Sequence, residues 1–267
     1  HMNEVAVETA YLDYAATEKI GFRFGHMLTP MGWINELHEP TTFWSANRPA
    51  TEKYILPSTW HENGVGAYGT NGDFTWRTYV MSGFDAEGFS LDKNGVRDGR
   101  QGGSKAVANN LAYVARVDWN SDQGLVIGGS YYIGKSGQAA DLPSDHGTAI
   151  WDLHFQWDNG PLRIRGLWAN AGVDDARTYS RDTDGTLVIG NDTVDSIKGS
   201  YIEAGWDLFA GEEASLTPFI RSEILTLAEE EKHDILGVAY QPNSGTIFKA
   251  DFEPKGDKFQ FAVGWTF

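Results

Sequence analysis

Cysteine is absent from this 267-residue chain, which excludes disulfide staples, thiol catalysis and cysteine-ligated zinc. Bases are scarce: 21 Lys and Arg stand against 37 Asp and Glu, a formal net charge of −16. Binding to a nucleic-acid backbone needs clustered cations that displace phosphate counterions, so a nucleic-acid partner is excluded. No stretch approaches the roughly 20 consecutive apolar residues of a spanning helix, which rules out a helical membrane protein and leaves a strand-built one open. A charged, apolar and cleavable leader is also missing, and His1-Met2 reads as a cloning remnant ahead of a mature or trimmed chain.

What the chain has in abundance is alternation with period two. Leu111, Tyr113, Ala115, Val117 and Trp119 share one face, and Asn110, Ala112, Val114, Arg116 and Asp118 the other. The last nine residues, FQFAVGWTF, place Phe259, Phe261, Val263, Trp265 and Phe267 on one parity. About 13 such segments occur, each near the 9–11 residues a tilted strand needs to cross a bilayer: 4–14, 19–28, 63–70, 73–83, 108–119, 124–133, 148–158, 161–171, 199–209, 215–226, 233–241, 246–253 and 258–267. Their connections alternate between short turns such as AATE, TNGD, NSDQ, DNG, AGEEA and PNSG and long links at 29–62, 84–107, 134–147 and 172–198. Gly, Asn and Asp suit the tight turns because they tolerate positive φ.

That rhythm predicts an all-β fold in one domain, 1–267: a closed antiparallel transmembrane barrel of about 12–16 strands, with short turns on the periplasmic side and long loops outside. Closed bacterial barrels have even counts, so the reading calls for a strand upstream, one hidden in 41–56, or a first segment outside the wall. The apolar parity, taken as the odd-numbered one, faces hydrocarbon. Tyr11, Tyr14, Trp76, Trp119, Trp157, Trp168, Trp206 and Trp265 are expected to form interfacial girdles.

The other parity carries the candidate pore lining: Arg23, Arg77, Arg116, Asp118, Asp152, His154, Arg163, Arg165, Glu203, Asp207, Arg221, Glu223, Lys249, Asp251 and Glu253. In a dry sandwich each unpaired charge would cost several kcal/mol, roughly the net stability of a domain, whereas a water-filled lumen tolerates them. The basic members are expected to form a strip facing acids on later strands, giving weak ion selectivity. The 29–62 link, with Pro30, Pro40, Pro49 and Pro57, reads as a stiff, non-helical loop that can fold into the lumen. Its candidate constriction residues are Asn35, Glu36, His38, Glu39, Arg48, Glu52 and Lys53.

From Gly25 to Gly69 the chain resembles the phosphate-selective porin O and P family of bacterial outer-membrane porins. The resemblance rests on Pro30-Met31-Gly32, Asn35-Glu36, Arg48-Pro49 and Asn63-Gly64-Val65-Gly66, then the strand Phe74 to Met81 leading into Ser82-Gly83-Phe84-Asp85. It implies 16-stranded barrels, often trimeric, whose third loop narrows the pore. It also implies that Phe267 is a sorting residue read by the barrel assembly machinery, and that about three strands precede the region matching Val5 to Tyr14. Phosphate channels of this group carry a basic ladder and a lysine-rich constriction. Here Arg48 and Lys53 face Glu36, Glu39 and Glu52, which points away from phosphate specificity.

Enzymatic and metal motifs are weak. Asp182, Asp184 and Gly185 echo a calcium loop, but Asn191 stands where the bidentate Glu belongs. His38-Glu39 and His61-Glu62 lack the spaced second His of a zinc site, and GRQGG lacks the Lys and Ser/Thr of a phosphate-binding loop. His154 with Asp152 is the one inward His-carboxylate pair, without a flanking Ser motif. No cofactor, metal or catalytic residue is expected. The sequence therefore points to a porin in the bacterial outer membrane, surrounded by lipid and passing ions and small hydrophilic solutes or anions, with a homotrimer as its expected assembly. Two alternatives stand beside it. One is a soluble glycan-binding β-sandwich that packs Trp119, Trp157 and Trp206 against a second sheet; the other is a non-conducting structural or adhesion barrel.

Overall fold

A computed structural model describes residues 7–138, 147–174, 177–181, 183–184, 186–191 and 194–266. The strands are β1 (Ala10–Ala15), β2 (Ile20–Leu28), β3 (His61–Asn71), β4 (Phe74–Ser82), β5 (Leu111–Asn120), β6 (Leu125–Lys135), β7 (Gly147–Asn159), β8 (Leu162–Val173), β9 (Arg177–Arg181), β10 (Leu187–Asn191), β11 (Ser196–Trp206), β12 (Ser215–Thr226), β13 (Glu230–Asn243), β14 (Thr246–Glu253) and β15 (Lys258–Trp265). Thirteen of them form one antiparallel meander in the order β1 to β8, then β11 to β15, with β1 and β15 as its end strands. These thirteen are the thirteen alternating segments. β9 and β10 pair only with each other, a hairpin inside a stretch that reads in sequence as a plain loop.

Alternation makes these segments strands because each puts its large apolar residues on one face and lets the other face meet something polar. Outward-facing Leu153, Trp168, Ile202, Ile220 and Phe261 are all more than half exposed. The outward set is odd-numbered in β3, β5, β6, β7 and β15, but even-numbered in β1, β2, β4, β8 and β11 to β14. A single numerical parity therefore does not carry through the chain, because turns of odd and even length reset it. Trp206 is 52% exposed, and among the described residues no second large sheet covers this face, contrary to what the sandwich alternative requires.

The connections at 16–19, 72–73, 121–124, 160–161, 207–214 and 244–245 share one rim. Gly72, Gly124 and Gly160 supply the positive φ there, at 59°, 74° and 58°. Tyr14, Trp76, Trp119, Trp157, Trp206 and Trp265 lie at this short-turn rim, at strand ends. Two of the expected girdle members do not: Trp168 sits in the middle of β8, and Tyr11 faces inward with the Arg23 guanidinium 4.0 Å above its ring.

The opposite rim carries the connections 29–60 and 83–110, which fill the space beneath it. Met27, Met31, Ile55, Leu56, Trp60, Phe84, Phe89 and Val96 form a dry cluster with Tyr79, Tyr132, Ile150 and Ile197 of the wall. Trp60 stacks on Phe84 with ring centroids 4.4 Å apart. Each such side chain contributes about 1.5–3 kcal/mol when fully buried, enough to hold loops that contain only short helical turns. The inward face is thus apolar under the long loops and charged further down, rather than polar along its whole length.

Candidate functional site

The segment 29–60 is not free of helix: it contains the short helix α1 (Ala50–Tyr54) and two 3₁₀ turns, Asn35–Leu37 and Pro40–Thr42. Its neck is tied by Asn35, whose amide donates to the Thr29 and Trp60 carbonyls at 2.7 and 2.8 Å and accepts from the Trp60 N–H at 2.7 Å. From there the loop touches side chains of β4, β5, β7, β8, β11, β12, β14 and β15, so the sheet wraps around it.

Three tethers fix its path. At the first, Gly32 donates its N–H to Asp152 Oδ2 at 3.2 Å while Arg116 donates to the Gly32 carbonyl. His154 sits between Asp152 and Asp118, its ring nitrogens 2.5 and 2.7 Å from their oxygens. Arg116 Nε donates to Asp118 at 2.8 Å, and Glu36 reaches Arg77 at 3.2 Å and Arg116 at 3.7 Å. The Ser130 hydroxyl donates to Asp152 and not to His154, so this is not the order of an activated nucleophile.

The second tether is α1. Glu52, 1% exposed, accepts the Ile34 N–H at 2.6 Å and the Tyr201 hydroxyl, and the Thr51 N–H donates to Glu223 at 2.6 Å. Burial pushes the Glu52 carboxyl above its ordinary value, a shift partly offset by those two hydrogen bonds. The wall is glycine where the helix presses on it: a Cβ at Gly199 would lie 2.6 Å from Thr51 Oγ1. At the third tether, Arg165 donates to the Thr42 carbonyl, Arg221 to Ser45 Oγ at 2.7 Å and Lys249 to the Ser45 carbonyl at 3.2 Å. The Ala46 N–H donates to Asp251 at 2.5 Å, and Lys249 Nζ lies 3.4 Å from the centre of the Phe43 ring.

The sequence-derived lining therefore divides. Arg116, Asp118, Asp152, His154, Arg165, Glu203, Arg221, Glu223, Lys249, Asp251 and Glu253 are all less than a tenth exposed. Their partners are the loop and adjacent strands, as in Arg165 to Glu203, Arg221 to Glu203 at 3.9 Å, and His233 to Glu253 at 2.6 Å. They do not form a wet basic strip facing acids across an open lumen, because the folded loop takes up that space. Arg23 pairs with Asp13 at 2.8 Å, and exposed Arg163 pairs with Asp158 at the short-turn rim. Asp207 is not in the wall: it follows β11 and accepts the Phe209 and Leu216 N–H groups at 3.1 and 3.0 Å, which makes it a turn residue.

A cavity of about 490 Å³ remains between loop residues 43–54 and strands β12 to β15. Arg48, Lys53 and Arg97 line its loop side; Glu223, Glu231, Glu253 and His233 line its wall side. Among the described residues no ion pair cancels the charge of Arg48, Lys53 or Arg97. Arg48 donates to the His38 carbonyl at 2.9 Å, His38 pairs with Glu8 at 2.9 Å, and Lys53 Nζ donates to the Tyr54 hydroxyl at 2.9 Å. Burial first, then the neighbouring Arg97, lowers the pKa of Arg48; the same two causes bring Arg100 down to about 10. Glu36 and Glu52 point to the loop's other flank, and Glu39 opens the 3₁₀ turn beside Pro40. Sequence reasoning missed Arg97, Glu231, His233 and Lys258. The last three share the inward parity of β13 and β15 and were legible by that signal; Arg97, in an irregular loop, had none. Phe267 lies outside the described residues, as do Asp182 and Gly185.

No protein-family model matches the chain. An uncharacterized protein of Aquifex aeolicus is 29% identical over 295 aligned positions covering 99% of this chain, which spans 66% of that relative's length. Among solved structures, OmpF of Salmonella typhi in complex with daunomycin matches 99% of this chain and 78% of its own, with a TM-score of 0.62 at 10% identity. An anion-selective porin from Comamonas acidovorans matches 96% of this chain and 72% of its own, with a TM-score of 0.54 at 9% identity. The all-β antiparallel sheet is thus similar in fold to porin barrels.

Proposed function

We propose that this chain is a porin of the bacterial outer membrane, a channel for passive diffusion of ions and small hydrophilic solutes. The observation that carries the reading is the cavity between a folded-in loop and the wall, enclosed by a sheet whose outward face is apolar. An apolar face of this extent suits hydrocarbon, and strand-built spanning structures satisfy their backbone between neighbours. Solutes would pass along the cavity and be sorted by its width and by charge at close range. The lining offers Arg48, Lys53, Arg97, Arg221 and Lys258 against Glu223, Glu231 and Glu253, so selectivity is weak and tilts toward anions. Loop acids on the opposite flank set the chain apart from a purely basic constriction of the phosphate-channel kind. Assembly as a trimer and reading of Phe267 by the barrel assembly machinery belong to the same proposal.

Planar-bilayer recording of the detergent-folded protein is the test: stepwise, ohmic conductance with weak ion preference is expected. A folded preparation that never conducts would leave the second reading, a structural barrel closed by its own loops. The dry cluster between 29–60 and 83–110 is the observation that favours it.

A further inference from the structure

His26 near the end of β2 and His61 at the start of β3 flank the neck of the folded-in loop, 35 residues apart in sequence. On the sheet they are diagonal neighbours, since His26 pairs with Asn63 and Leu28 with His61. Their rings meet edge to face with centroids 4.7 Å apart, and His26 Nε2 lies 2.7 Å from His61 Nδ1. Both are half-buried, on the outward face of their strands above the apolar belt.

The surrounding bonds settle which nitrogens carry protons. Asn63 Nδ2 donates to the Gly103 carbonyl at 2.9 Å, which turns Asn63 Oδ1 toward His26 Nδ1, also 2.9 Å away. His26 Nδ1 must therefore be the N–H, and His26 Nε2 carries a lone pair. That lone pair accepts a proton from His61 Nδ1, so one exchangeable proton sits between two imidazoles. A side-chain carbonyl orienting the far nitrogen is how outer-shell partners prepare histidine for a metal. Gly103, at φ +80°, packs so closely that a Cβ there would be 2.2 Å from His26 Cε1, which closes one side of the pair.

We propose that His26 and His61 form a binding site for a divalent transition metal of the zinc type, with the cation taking the place between the two nitrogens while their shared proton moves to His61 Nε2, so that both ligands stay neutral imidazoles. Zn–N bonds of about 2.0–2.1 Å in tetrahedral geometry put two nitrogens about 3.3 Å apart. The rings need to separate by only about 0.6 Å and pivot about their χ2 bonds, which half-buried side chains at a strand end can do. Among the described residues no third His or carboxylate converges on the pair, so water completes the coordination and the site is exchangeable rather than structural. Glu8, His38 and Arg100 are the charged or titratable side chains within electrostatic reach of His61. The net charge of −16 favours cation arrival. A bound metal would pin the two strand ends between which the loop leaves and rejoins the wall.

The test is calorimetric titration of Zn²⁺ into the full chain folded in detergent, compared with His26→Gln, His61→Gln, Asn63→Ala and His38→Gln. Glutamine retains hydrogen bonding, and circular dichroism with heat-modifiable gel migration checks that each variant folds. Expected is one saturable site per chain. Affinity should fall by roughly 10- to 100-fold in Asn63→Ala and by more than that in either ligand variant, with His38→Gln unchanged. Taking differences from wild type removes any contribution of His1, His146, His154 and His233. Identical titrations of wild type, His26→Gln and His61→Gln would overturn the site, whatever the conductance experiment returns.

Discussion

Replacing Glu52 with alanine removes the acceptor for two buried donors, the Ile34 N–H at 2.6 Å and the Tyr201 hydroxyl. Each donor left without a partner costs about 1–3 kcal/mol, so loop docking should weaken by about 2–6 kcal/mol. Even the lower figure is roughly a 30-fold rise in the open population. Glu52→Gln is the control that separates charge from hydrogen bonding. Its carbonyl can keep the Ile34 N–H, and its amide can donate to the Tyr201 oxygen, because a hydroxyl can reverse its role. It also removes a carboxylate from a site where burial raises its pKa. A raised folded-state value contributes stability below the ordinary carboxylate range and loses it as pH rises through the raised value. Wild-type docking should therefore be firmer at pH 5 than at pH 8 relative to Glu52→Gln; the difference between the two slopes isolates this group from Arg165 and Asp152 nearby. Hydrogen exchange across 29–60, read by mass spectrometry in detergent, measures the opening, and single-channel recording measures its effect on current. Exchange in Glu52→Ala as slow as in wild type would refute the claim that this carboxylate holds the loop.

Three further outcomes follow from the same geometry. Glu203→Leu takes from buried Arg165 its carboxylate partner, while Arg221 keeps Glu223, and should cost about 3–5 kcal/mol in urea unfolding from vesicles, with Arg165→Met in the same chain recovering most of it. Leu153→Arg, on the outward face in mid-β7, should lose about 2–4 kcal/mol by the same measurement if the wall meets lipid, and almost nothing if it meets water. Arg48→Glu with Lys53→Glu inverts the loop side of the cavity and should move the reversal potential in a KCl gradient toward cation preference.

The strands were legible because their length and period recur together, and Tyr113, Val117, Ile202 and Phe261 announce a face by repetition alone. The inward or outward position of Arg116, Glu203 and Lys249 could be read the same way. Their partners could not: Arg116 meets Gly32 and Lys249 meets Ser45 across the fold, and no local pattern encodes a contact 84 or 204 residues away. Helix α1 escaped because five residues after Pro49 are too few to show a 3.6 period. The apolar lining of the upper wall looked like part of the strand alternation, because Tyr132, Ile150 and Ile197 differ from the outward-facing residues only in what folds onto them.

The meander lets nearly every wall strand pair with its neighbour in sequence, free of distant segments. The loop after β2 does not share this freedom. Its bonds to Asp251 and Gln260 need β14 and β15, which arrive more than 200 residues later, at positions 205 and 213 beyond Ala46 and Asn47. Until the final hairpin is in place the third tether lacks Lys249, Asp251 and Gln260, so residues 45–47 settle only once β14 and β15 have formed, while the first two tethers, on β5, β7, β11 and β12, do not wait for them.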